Sequence, residues 1–67
     1  MASVELRELK QHGKTRRLET AEVEVDPTDA DACVDLLRRM AKKHGKSAGD
    51  VEIHVRNGRK APHTYRV

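Results

Sequence analysis

The stretch Asp26-Pro27-Thr28-Asp29-Ala30-Asp31-Ala32-Cys33-Val34-Asp35-Leu36-Leu37-Arg38-Arg39-Met40-Ala41-Lys42-Lys43-His44-Gly45 decides the fold. Within it, Ala30, Cys33, Val34, Leu37, Met40, Ala41 and His44 recur at helical spacing and form one apolar stripe, widened by Leu36. Acids fill the first turn and bases the last, which complements the helix dipole, and Asp35 stands four residues before Arg39. The spacing predicts a helix over about residues 28–44. Thr28 with Asp31 approximates a capping box; Asp26 as N-cap with Pro27 at the first helical position is an equally sound start. Gly45 suits the left-handed residue that closes a helix.

On either side the period changes from helical to two. Ala21-Glu22-Val23-Glu24-Val25 and Val4-Glu5-Leu6 alternate as half-buried strands do, with His12-Gly13 in a polar turn between them. Residues 3–9 and 17–25 are therefore expected to form a hairpin. Pairing Leu9 with Leu18 sets Leu6 opposite Ala21 and Val4 opposite Val23, around a turn at 12–15, but it opposes glutamates at 5/22 and 8/19. Like charges directly opposed are unfavourable, and a bulge near the turn would relieve them. After the helix, Val51-Glu52-Ile53-His54-Val55-Arg56 alternates again and Asn57-Gly58 signals a turn. A three-residue loop 56–58 with Gly58 left-handed puts Ala61, His63, Tyr65 and Val67 on the face of Val51, Ile53 and Val55, burying the only aromatic residue. Pro62 places the last strand at an edge. The expected architecture is α+β, in the order β-β-α-β-β: one helix on a four-stranded sheet made of two hairpins, as a single small domain spanning residues 1–67.

From about Ala32 to Lys60 the chain resembles small bacterial domains of unknown function. The likeness rests on the helix end Ala41-Lys42-Lys43-His44-Gly45 and the hairpin Ile53-His54-Val55-Arg56-Asn57-Gly58-Arg59. It implies a β-β-α-β-β fold and no particular activity.

Composition narrows the function. The chain has 67 residues, 37% of them charged, one cysteine and a formal net charge of +3. No apolar run approaches the roughly 20 residues that span a bilayer, and the N-terminus lacks the charged and apolar regions of a secretory signal, so a cytoplasmic location is expected. Cys33 and His44 share the helix stripe about 16 Å apart, too far to share a metal. There is no Cys-x-x-Cys or His-x-x-x-His pair, no Ser/His/Asp set and no phosphate loop. The reading is a non-enzyme with neither metal nor other cofactor.

The charges are sorted into blocks. Residues 10–17 carry Lys10, Lys14, Arg16 and Arg17 and no acid; residues 36–49 carry Arg38, Arg39, Lys42, Lys43 and Lys46 and no acid; residues 18–35 are acidic throughout. In the expected fold the first turn and the helix C-terminus meet at one end, so the two basic blocks converge. Concentrated positive charge binds nucleic-acid phosphates without regard to sequence. A duplex fits better than a single strand, because the sheet offers no aromatics for base stacking. The second reading is a non-catalytic interaction module, of a kind used by phage or plasmids. It would meet a partner protein through an acidic open sheet face bearing Glu5, Glu22, Glu24 and Glu52. A core this poor in large side chains also leads to the expectation of a homodimer.

Overall fold

The computed structural model describes all 67 residues. Strand β1 (Ala2–Leu9) and strand β2 (Thr15–Val23) form the first hairpin; helix α1 (Ala30–Lys43) follows; strand β3 (Val51–Arg56) and strand β4 (His63–Tyr65) form the second. The sheet is antiparallel throughout, in the order β2-β1-β3-β4, so the two central strands belong to different hairpins. The α+β, β-β-α-β-β architecture is as the sequence predicts.

Alternation explains where the core lies. Ala2, Val4 and Leu6 of β1 and Val51, Ile53 and Val55 of β3 point to one side, where α1 covers them with Cys33, Leu37, Met40 and Ala41. Leu18, Val23, Val25, Leu36, Ala48 and Tyr65 pack around these. The Tyr65 hydroxyl donates to the Pro27 carbonyl, tying the edge strand β4 to the segment that precedes the helix. The exposed large hydrophobics are Met1 and Val67, at the two chain ends.

The helix starts at Ala30, two residues later than the spacing predicts, and neither expected start is used. Asp29 is the N-cap, its carboxylate accepting from the Ala32 amide at 3.1 Å. Asp26 is engaged instead by the Thr28 amide and hydroxyl, at 2.9 and 2.8 Å, in a turn that precedes the helix. The C-terminal end follows the prediction: Gly45 has φ +68°, and the Lys46 amide reaches back to the Ala41 carbonyl at 2.8 Å.

The first hairpin is shifted from the simple register. Val4 lies opposite Ala21 and Leu6 opposite Glu19, and Leu9 pairs with Thr15 rather than Leu18. Leu18 is the extra residue of a bulge between the Leu6–Glu19 and Arg7–Arg17 pairs. The physical gain is electrostatic: Glu5 now faces Thr20 and Glu8 faces Arg16, where the simple register would have opposed glutamates. In the second hairpin the parity is as expected, with Tyr65 opposite Ile53, but the loop is longer. It runs over 57–62, and β4 begins only after Pro62, whose missing amide cannot join the ladder. Ala61 and Val67 consequently fall outside the strand and are exposed.

Candidate nucleic-acid interface

β1 runs toward the first turn, and antiparallel β3 runs away from it, with Glu8 opposite Val51 and Ser3 opposite Arg56. The turn at 10–14 and the C-terminus of α1 share that end of the sheet; the helix start and the 57–62 loop occupy the other. Ion pairs confirm the juxtaposition. Lys46 reaches Glu8 at 2.8 Å, and Lys43 and His44 reach Glu19 at 3.0 and 2.7 Å. The turn itself is tight: Lys10 donates to the Lys14 carbonyl at 2.8 Å, while His12 and Gly13 both take positive φ.

The two basic blocks do meet, but they are not free of acid as the linear sequence implies. Glu8 gathers Lys46, Arg16 at 3.2 Å and Lys10 at 3.7 Å. Arg17 pairs with Glu5 at 2.8 Å, on the far side of the sheet, and Arg39 with Asp35 at 3.5 Å. Lys14, Arg38 and Lys42 have no ionic partner, and Arg38 and Lys42 stand one helical turn apart on the exposed side of α1. Six of the nine cations therefore share four carboxylates, and three stay unpaired. The signal for Glu8 was present in the alternation of β1: positions 2, 4 and 6 face the helix, so position 8 lies on the same side at the core's rim. Lys46 is the strongest influence holding the Glu8 carboxyl below its ordinary range, with burial opposing. For Glu19 the hydrogen bonds from His44 and then Lys43 do the same.

The unpaired charges divide by end. Of the cations without a partner, Arg56, Arg59 and Lys60 lie at the end with the helix start, alongside the unpaired Glu22, Glu24, Asp26, Asp29 and Asp31. At the other end Lys14, Arg38 and Lys42 face a single unpaired acid, Asp50. The molecule is electrically polarised along its strands.

The open face of the sheet corrects an expectation. Glu5, Glu22 and Glu52 do lie on it, but Glu24 falls beyond the end of β2. The face is not acidic on balance: Arg7, Arg17, Arg56 and Arg66 outnumber the carboxylates. The bulge at Leu18 brings Arg17 round to this side, and Arg66, just past β4, reaches Glu52. Glu5 is bridged by Arg7 at 3.0 Å and Arg17 at 2.8 Å. A groove of about 660 Å³ crosses this face, its lining including Glu5, Arg17, Glu22, His54 and Arg56.

Glu52 is only 5% exposed although no element covers it. Arg66 Nε and Nη2 donate to Oε1 at 3.0 and 2.8 Å, and His54 bonds Oε2. Burial pushes this carboxyl up, but the His54 and Arg66 contacts outweigh it and hold it below the usual carboxylate range. Glu52→Gln is expected to lose about 1–3 kcal/mol of stability at neutral pH, read from urea denaturation. A lowered folded pKa contributes stability that is full above the unfolded value and lost as pH falls through the folded one. Between about pH 5 and pH 3 the wild-type midpoint should fall more steeply than that of Glu52→Gln. Parallel acid profiles would locate the acid sensitivity in the other lowered groups, Glu5, Glu8, Glu19 and Asp26.

No family model matches the chain, and neither a search of curated proteins nor one of solved structures finds a similar protein.

Proposed function

We propose that this chain binds duplex nucleic acid through backbone phosphates, using the end of the molecule where the first turn meets the C-terminus of α1. The observation that carries this reading is the polarised charge: nine cations from two sequence blocks converge on one end and flank, against four carboxylates that pair with only part of them. Lys14, Arg38 and Lys42 supply unpaired contacts, and the turn at 10–14, which projects one residue pair beyond the end of β3, exposes its backbone and cations to a duplex. The open face of the sheet carries no Phe, Tyr or Trp, its one ring, His54, is bonded to Glu52, and the ring of Tyr65 is on the helix side, so the reading does not extend to base stacking on single strands. Recognition by phosphates alone is indifferent to sequence.

A salt titration against a labelled random duplex tests it. Fluorescence anisotropy should give micromolar binding at about 50 mM salt, with a slope of log K on log[salt] between about −3 and −5. Absence of binding even at about 20 mM salt would end the proposal.

A further inference from the structure

Glu8 sits on the helix side of β1, one alternation beyond Leu6, with its side chain 16% exposed. Three cations converge on it from three segments: Lys10 from the turn, Arg16 from β2 and Lys46 from beyond α1. Its two oxygens are held differently. Oε2 lies 2.8 Å from the Lys46 ammonium, whose side chain is 33% exposed. Oε1 is buried and accepts no hydrogen bond; Arg16 and Lys10 approach it at 3.2 and 3.7 Å and hold it by charge alone. Those two side chains are also the more exposed, at 60% and 50%. Charge contacts without hydrogen bonds, made by exposed side chains, are weak and easily exchanged.

One carboxylate facing three cations leaves positive charge in excess. A phosphodiester carries the same charge as Glu8 on similarly spaced oxygens, and it arrives from the solvent side, where Arg16 and Lys10 are exposed. We infer that Glu8 is a built-in competitor for nucleic-acid phosphate. On binding, Arg16 and Lys10 leave Oε1 for phosphate oxygens, while Lys46 stays on Oε2 and keeps the buried carboxylate paired. This rests on the duplex reading above and deepens it by naming the two side chains that exchange partners and the group that opposes them. The competitor holds affinity down and leaves the number of phosphates engaged unchanged.

The test uses the same duplex titration on three variants checked for folding by circular dichroism. Glu8→Gln removes the competitor and should tighten binding about five- to ten-fold, with the salt slope little changed. Glu22→Gln makes the same charge change away from this end and should tighten binding less than about two-fold. Lys10→Gln/Arg16→Gln should flatten the slope by about two, although both side chains are ion-paired in the free protein. The inference is overturned if Glu8→Gln gains no more than Glu22→Gln, or if the double variant leaves the slope unchanged. If Glu8→Gln does not fold, the double variant decides alone. Failure of the wild type to bind the duplex at low salt removes the interface itself, an outcome distinct from failure of the exchange.

Discussion

Leu37→Ala is expected to lower stability by about 2–5 kcal/mol and to leave much of the chain unfolded near body temperature. The helix is attached to the sheet by few side chains. Only Cys33, Leu37, Met40 and Ala41 of α1 are buried, and Leu37 is the one large aliphatic among them with no exposure at all. Cutting it to a methyl leaves a void between the helix and the paired centre of the sheet, where Val4, Leu6, Ile53 and Val55 have no freedom to follow. At about 0.05–0.15 kcal/mol per residue, a chain of 67 residues has roughly 3–10 kcal/mol in total, so one such void removes a large share. In urea the midpoint should fall by about 2 M or more, given a slope near 1 kcal/mol/M for a domain this small. Arg38→Ala, the next residue and exposed, should stay within about 0.5 kcal/mol of wild type. If Leu37→Ala lost less than about 1 kcal/mol, the helix would be attached by something other than its buried stripe.

The contrast between those neighbouring positions is legible in the sequence, because the stripe at 33, 37, 40 and 41 follows from a period of 3.6. Gly45 was legible for a similar reason: a helix end needs a left-handed residue, and no other candidate stands there. The start of the helix was not, because Asp26, Thr28 and Asp29 can all cap. The choice depends on which of them the preceding turn consumes. Register in the first hairpin was legible as a conflict rather than an answer. Opposed glutamates signalled a bulge, and its placement at Leu18 decides on which face every residue of β2 before it lies. That one residue carries Arg17 to the open face and keeps Arg16 beside Glu8, so the charge of both faces hung on it. Pairings made by long side chains such as Lys43 with Glu19 or Arg66 with Glu52 follow from the register and were beyond pattern reading for the same reason.

Among the fourteen Lys and Arg side chains, the six without an ionic partner provide the sharpest test of the proposed interface, because they fall three to each end. Lys14→Gln/Arg38→Gln/Lys42→Gln neutralises those at the end where the turn meets the helix C-terminus. Arg56→Gln/Arg59→Gln/Lys60→Gln makes the same change of net charge at the opposite hairpin. If binding answered to net charge alone, the two triple variants would weaken it equally. If phosphates sit where the basic blocks converge, the first variant loses three contacts, which flattens the salt slope by about 2.7 and weakens binding at about 0.1 M salt by a hundred-fold or more. The second should weaken binding only a few-fold, since its side chains already stand among Glu22, Glu24, Asp26, Asp29 and Asp31, and screening at that salt confines a charge's influence to about 10 Å. None of the six makes an ion pair or is buried, so neither variant should lose much stability, and matched thermal melts check that the comparison is between folded proteins. Equal losses would show that the duplex responds to overall charge, and a larger loss from the second variant would move the interface to the 57–62 loop.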